Sequence, residues 1–338
     1  MTLEETIRRI RPVDQKAKED AKAHWDGLGK PLGSLGRLED VIVQIAGIQR
    51  TPQIHIEKKA LVIMCADNGV VEEGVTQCGQ EVTASVAENF LDEKSCVAIM
   101  CKRAGAGIYP VDIGMAVDTP RIEKRKVAYG TKNMTKEPAM TRAQAVATIE
   151  AGIAKAQELK NLGYELLATG EMGIGNTTTS SAMTAVFLRM EPERVTGRGA
   201  GLSGAGLKRK VRAIWRAISL HEPDASDPLD VLSKVGGFDI AGMTGLFLGG
   251  AECGIPIVID GVISAVSACL AEMISPGCRD FMLPSHVSNE PSARLLLEKL
   301  GLKAPINAGF HLGEGTGGIM LLPLLDGALA VYNGAHRF

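Results

Sequence analysis

Aromatic side chains are scarce in this 338-residue sequence, which has four Tyr, seven Phe and two Trp. A flat ligand therefore finds few rings to stack on. Net charge is also nearly absent. The 37 basic and 39 acidic residues leave a formal charge of -2, which argues against nucleic acid as the partner and for a small ligand. The seven cysteines form no CxxC pair and the six histidines no HExxH or HxH, so the zinc signatures are missing and no metal is expected. An odd number of cysteines, most in apolar surroundings, fits reduced core thiols and a cytoplasmic setting. The first residues, MTLEETIRRIRPVD, contain no apolar run of the secretory kind. The two longest apolar stretches, Ile255 to Ile274 and Ile319 to Val331, are broken by Asp260 and Glu272 and by Pro323 and Asp326. No membrane span is expected.

Glycine is what the chain has in surplus: 39 of 338 residues, against a usual share of about 7 per cent. The glycines follow no three-residue period and are not diluted into linkers. They mark tight turns or places where backbone approaches a ligand. About a third of them fall in residues 170–206 and 309–318, which favours ligand-hugging loops.

Patterning predicts short apolar strands alternating with longer helices. Residues 3–24 and Leu35 to Ile48 read as helical, Ala60 to Ala66 as a buried strand and Val82 to Arg103 as helical. Strands follow at Gly107 to Ile113, Tyr164 to Thr169, Pro256 to Asp260 and Arg279 to Leu283. Helices are expected at Arg142 to Asn161, Asn176 to Met190, Leu207 to Leu220, Asp239 to Cys253, Val262 to Ile274 and Pro291 to Leu300. This alternation implies an α/β fold with a mostly parallel sheet covered on both faces, and in such sheets ligands bind at the carboxyl ends of the strands. The terminal segments, 1–50 and 303–338, are expected to pair as a small helical domain beside a large α/β domain, 51–302.

Four segments carry residues suited to chemistry. Leu166 to Ala182, LLATGEMGIGNTTTSSA, runs from an apolar strand through Gly170, Glu171, Gly173 and Gly175 to Asn176, Thr177 and Thr178, which begin a helix. That layout aims backbone N–H groups and a helix dipole at an anion, although a tight turn with a good cap would read the same way. The Gly-Lys-Ser/Thr ending of a Walker A loop is missing. Residues 199–204 contain a literal GxGxxG, yet no buried strand precedes it. It reads better as a loop giving phosphate contacts, with Lys208, Arg209 and Lys210 behind it. Asp67, Glu171, Asp239 and Asp260 stand at element ends, where each could bind ribose or cap a helix. Ser285 to Glu290 follows a strand, and with no GxSxG elbow a Ser/His/Asp hydrolase is disfavoured. Finally, Glu314 lies among glycines after Phe310 and Leu312, where apolar surroundings would raise its pKa and suit it to accept a proton, although a glutamate at the start of the helix IMLLPLL would read the same way.

Eight segments in order, KPLGSLGRLE, ADNGVVEEGVT, GEMGIGNTT, TGRGAGL, GGFDIAGMTG, DGVISAVSA, SHVSNEP and LGEGTGG, resemble the nicotinate-nucleotide:dimethylbenzimidazole phosphoribosyltransferases over nearly the whole chain. The resemblance implies a doubly wound, Rossmann-like parallel sheet with a small helical domain from both termini, and a homodimer with its sites near the subunit interface. It also implies transfer of the phosphoribosyl group of nicotinate mononucleotide to 5,6-dimethylbenzimidazole, giving nicotinate and α-ribazole 5'-phosphate without metal or other cofactor. Glu314 would be the general base. Gly173, Gly175, Asn176, Thr177, Thr178, Gly199 and Ser288 would hold the nucleotide phosphate and ribose, with Glu171 and Lys210 nearby. The acceptor slot would involve Asp67, Phe310 and Leu312. Two rival readings are an NAD(P)-dependent oxidoreductase, suggested by the literal GxGxxG, and a non-catalytic nucleotide-binding protein.

Overall fold

The segment KALVIMCA has no polar alternation because it is buried on both faces, as a central strand of a parallel sheet must be. A computed structural model describes residues 1–337. It contains six strands, β1 (Lys59–Ala66), β2 (Ala106–Gly114), β3 (Glu123–Lys124), β4 (Leu166–Met172), β5 (Ile257–Ile259) and β6 (Met282–Pro284). They form one sheet in the order β3-β2-β1-β4-β5-β6. Every neighbouring pair is parallel. The chain builds outward from β1 to β3, then crosses back to place β4 on the other side of β1. The order thus reverses between β1 and β4, and the crevice beyond their carboxyl ends is the place where a doubly wound sheet binds its ligand.

β1 and β4 pair from Lys59 opposite Leu166 to Cys65 opposite Met172. This register carries β4 three residues beyond the expected Thr169, so Glu171 stands on the rigid end of a strand and not in the glycine loop.

Helix Arg142–Asn161 has the limits read from the sequence, opened by a capping box between Thr141 and Gln144. Other expectations need correction. Residues 3–24 form two helices, Leu3–Arg9 and Gln15–Asp26; Pro12 lies in the break, and Asp14 caps the second by accepting the Ala17 N–H. Val82 to Arg103 is likewise split into Glu81–Leu91 and Cys96–Ala104, the second capped by Ser95. Arg279 to Leu283 begins as a 3₁₀ turn, Cys278–Phe281, before β6. Of the cysteines, Cys65, Cys101, Cys269 and Cys278 are buried, whereas Cys78 and Cys96 are exposed.

The two ends of the chain meet. His24 Nε2 lies 2.6 Å from the Tyr332 carbonyl oxygen, Trp25 packs edge-on to Tyr332, and Leu28 bridges to Arg337. The last helix, Thr316–Gly334, is the one helix among the described residues long and apolar enough to cross a membrane. It packs instead on helix Arg37–Gln49, helix Cys96–Ala104 and β4. Lys59 at the start of β1 pairs with its Asp326 at 2.5 Å. One hydrophobic core runs from this terminal layer into the sheet.

Glycine has a second use that the loops do not explain. Helix Phe238–Cys253 is apolar all round and buried along nearly its whole length. It lies so close to helix Arg142–Asn161 that a Cβ on Gly152 would come within 2.1 Å of the Gly242 carbonyl oxygen, and one on Gly245 within 2.0 Å of the Ile149 oxygen. These are backbone contacts that no side-chain rotation relieves. Gly245→Ala is expected to cost roughly 1–3 kcal/mol or more of stability, read as a lower urea midpoint. Gly204→Ala, whose added methyl meets nothing within 4 Å, should leave the midpoint level or slightly higher.

Candidate active site

At the carboxyl ends of β4, β5 and β6, the loop before the last helix closes over the crevice and leaves a cavity of about 240 Å³. Its position depends on Asp260, just beyond β5. The Asp260 carboxylate accepts the Gly315 N–H at 3.1 Å and the Gly318 N–H at 2.9 Å, taking up donors at the start of helix Thr316–Gly334. Gly313, Glu314 and Gly315 all have positive φ, 87°, 61° and 91°. For glutamate this is a strained conformation held in place by its surroundings. One constraint is Gly170 on β4, where a Cβ would lie 2.7 Å from the Glu314 carbonyl oxygen. Another is the Glu314 N–H, which donates to Glu171 Oε1 at 3.4 Å.

The Glu314 backbone is thus fixed while its carboxylate, among the described residues, has no hydrogen-bond or ion-pair partner. It is half-buried and lines the cavity. Burial, and then the charge of Asp260, raises its pKa above the ordinary carboxylate value. These properties suit a proton acceptor.

A second part of the same wall combines a helix start with a buried lysine, a chemistry suited to an anion. Helix Asn176–Leu188 starts after Gly175 (φ 96°) with no side-chain cap. Thr177 and Gly199 line the cavity beside it. Lys210, wholly buried, donates from Nζ to Thr177 Oγ1 at 2.8 Å and to the Gly197 carbonyl at 3.2 Å. No carboxylate is in ion-pair contact with it among the described residues. Burial depresses its pKa to about 8, against an opposing pull from Glu290. Glu290 in turn accepts the Gly199 N–H at 3.2 Å.

The structure brings nine of the thirteen residues singled out in the sequence to this cavity: Glu314, Glu171, Gly173, Asn176, Thr177, Gly199, Ser288, Phe310 and Leu312. Lys210 stands directly behind Thr177. Gly175 packs against Asn68 and Val71, and Thr178 is wholly buried, its hydroxyl without a partner among the described residues. Asp67 lies outside the lining. Its carboxylate is fully buried, accepting from Thr83 Oγ1 at 2.6 Å and from the Ala116 N–H at 2.8 Å. Thr83 Oγ1 also accepts the Ile174 N–H at 3.2 Å, so Asp67 braces the glycine loop from behind.

Asp260, Asp239, His286 and Glu290 were visible in the sequence only as residues at element ends or within SHVSNE. His286, its pKa lowered by burial, lies in the wall with its ring 5.4 Å from that of Phe310. A signal for Asp239 was present. It is the one charge near the head of a helix whose next twelve residues carry none.

A larger cleft of about 790 Å³ lies at the opposite, amino-terminal ends of the strands, with exposed Arg8, Arg9, Arg11 and Arg50 among its lining residues. His55, Glu57 and Glu165, the one trio of possible metal ligands grouped among the described residues, are at that end too. Neither is near the crevice.

A phosphoribosyltransferase family model, DBI_PRT, matches residues 10–338. The nicotinate-nucleotide–dimethylbenzimidazole phosphoribosyltransferase of Acetivibrio thermocellus is 47% identical over 336 residues, covering 99% of this chain and 96% of that protein. Its Escherichia coli namesake is 41% identical, covering 98% and 93%. The crystal structure of the Thermus thermophilus enzyme superposes with a TM-score of 0.90 at 37% identity, covering 96% of this chain and 97% of that one. The chain belongs to the nicotinate-nucleotide–dimethylbenzimidazole phosphoribosyltransferase family. The family match takes in the sheet, the last helix and the loop that carries Glu314. Membership in this phosphoribosyltransferase family disfavours the oxidoreductase reading, and so does the local structure. The literal GxGxxG follows the short helix Pro192–Val195 and not a strand.

Proposed function

We propose that this chain transfers the 5-phosphoribosyl group of nicotinate mononucleotide to 5,6-dimethylbenzimidazole, releasing nicotinate and forming α-ribazole 5'-phosphate. The observation that carries the reading is an unpartnered, half-buried Glu314 carboxylate in the wall of a cavity that also has a buried ammonium behind Thr177 and Gly199.

The residues divide the work. The phosphate docks at the start of helix Asn176–Leu188, where Lys210 supplies charge through and beside Thr177, and Gly199 and Gly173 let the nucleotide approach the backbone. Gly175 and Thr178 shape this end from behind, Ser288 faces the ribose and Glu171 lies beside it. The C1'–N bond to the cationic pyridinium breaks, and its electron pair returns to the ring nitrogen, so departing nicotinate needs no acid. One benzimidazole nitrogen attacks C1' from the opposite face while Glu314 accepts the proton from the other. The acceptor lies against Phe310 and Leu312, where an apolar hollow that also includes Met100 and Met320 adjoins the cavity. Asp67 acts behind the loop and not in this slot.

That hollow continues into an exposed apolar surface formed by Ile99, Leu312, Met320, Leu324 and Val331. A second copy of the chain packed there, giving a homodimer, would cover it and close the acceptor side of the site.

Mixing the enzyme with nicotinate mononucleotide and a panel of benzimidazoles should release nicotinate and form α-ribosides in equal amounts; neither product appears if the reading is wrong. Glu314→Gln should retain nucleotide binding and lower kcat by roughly 10²- to 10⁴-fold, and near-normal turnover would remove Glu314 as the base. Lys210→Ala should raise the KM for nicotinate mononucleotide by about tenfold or more. In the wild type the same KM should climb as pH passes about 8, because the lysine is charged below its pKa and neutral above it. Leu324→Glu should turn a dimer into a monomer in size-exclusion light scattering. A wild type that is already monomeric would reject the interface.

A further inference from the structure

Behind the cavity wall two carboxyl groups face one amide. Asp239, the second residue of helix Phe238–Cys253, is wholly buried, and its Oδ1 accepts the Ile240 N–H at 3.0 Å. Its Oδ2 accepts from Asn176 Nδ2 at 2.9 Å, and the same nitrogen donates to Glu171 Oε2. Glu171 Oε1 then receives the Glu314 N–H. Four residues from three separate segments are joined in one chain that ends at the base. The chain is tightly enclosed: a Cβ on Gly237 would lie 2.5 Å from Asp239 Oδ1, and one on Gly173 2.9 Å from Oδ2.

The transfer mechanism above gives Asp239 no task, and Asn176 spends its side-chain amide inside this chain. Yet two buried carboxylates sharing one donor nitrogen cannot both be ionised without a large penalty, so one holds a proton. Geometry decides which. Asp239 has the amide and a backbone N–H at ordinary hydrogen-bond distance, both of which favour its anion. Glu171 has the amide and one long backbone contact. The groups that face Glu171 are Asp239 from the helix, Asp260 beyond β5, Glu314 from the loop and the Cys65 thiol on β1. None is basic, and His286 in the same cavity is itself held towards its neutral form by burial.

We propose that Asp239 is a positioning residue for phosphoribosyl transfer: through Asn176 it keeps Glu171 in its protonated form, so that Glu171, beside the Glu314 loop, meets the anionic nucleotide as a hydrogen-bond donor. This rests on the transfer reading given above. With Oε2 turned to the amide, the proton is on Oε1, the oxygen nearer the Glu314 loop. The order of ionisation agrees. Burial raises both groups, Asp239 to about 6 and Glu171 well above the ordinary glutamate value, the latter with a further contribution from Asp239. The logic suits the ligand, because a crevice walled by Asp260, Glu290 and Glu314 is already acidic for a nucleotide that carries a phosphate.

Two measurements test this. Infrared spectra of the free enzyme at neutral pH should contain a protonated-carboxyl carbonyl band that Glu171→Gln removes, and absence of such a band overturns the proposal even if no other variant folds. Asp239→Asn keeps the shape and removes the charge, which lowers the pKa of Glu171. Its band should therefore disappear at lower pH than in the wild type. The ratio of variant to wild-type kcat/KM for nicotinate mononucleotide should fall as pH rises, about tenfold for each unit by which the pKa of Glu171 has dropped. Lys210 titrates in both proteins and cancels in that ratio. A constant ratio with an unmoved band assigns Asp239 a packing role only and overturns the proposal. If the wild type releases no nicotinate, the transfer reading fails, whereas the band still reports on Glu171.

Discussion

The grip of one carboxylate on two backbone N–H groups holds the site together. Asp260 ends β5 and accepts from Gly315 and Gly318, so the loop that covers the crevice is tied to the sheet at the point where its last helix begins. Without that tie the left-handed run Gly313-Glu314-Gly315 would have little to balance its strain, because the sheet otherwise restrains it through the close approach of Gly170 and one long bond to Glu171. The tie also decides direction. With the next turn tied to Asp260, its own N–H given to Glu171 and its carbonyl packed against Gly170, Glu314 has a fixed backbone and, among the described residues, an unpartnered carboxylate in the cavity wall.

The parts of this arrangement that were legible in the sequence follow from period and composition. The uninterrupted apolar run of β1, the capped helix from Arg142 and the strand-to-helix passage through Gly173 and Gly175 have local causes, and local patterns reveal them. Glu314 stood out because a lone carboxylate among glycines, after Phe310 and Leu312, is unusual for a surface loop. What escaped has causes distant in the chain. The end of β4 is set by pairing with β1, over 100 residues earlier, so the strand position of Glu171 could not be read from LLATGEM. Asp67 looked like a ligand residue by its place at a strand end, and only the fold shows Thr83 and Ala116 consuming both its oxygens. The breaks near Pro12 and Ser95 were marked in the sequence by a helix-breaking residue and a cap, but charged spacing on either side concealed them.

Glycine shows how one composition serves two ends. In the loops it provides positive φ and lets ligand or neighbouring backbone come close, as at Gly170 and Gly315. Between helices Arg142–Asn161 and Phe238–Cys253 it removes side chains altogether, and two helices under the sheet meet backbone to backbone. The second of these helices has Asp239 at its head. Close packing there fixes a carboxylate behind the crevice wall to the tolerance of a helix and not of a loop.

Lys210 carries a consequence for the protein away from its substrates. A buried ammonium with no carboxylate in ion-pair contact among the described residues is a penalty on the fold, only partly relieved by its lowered pKa. An anion that docks beside Thr177 removes that penalty in the folded chain and has no equivalent site in the unfolded one. Occupancy then adds to the unfolding free energy by mass action, about 2.7 kcal/mol when the anion is present at a hundred times its dissociation constant. With the nucleotide proposed above as that anion, resistance to heat and proteases would rise with its concentration.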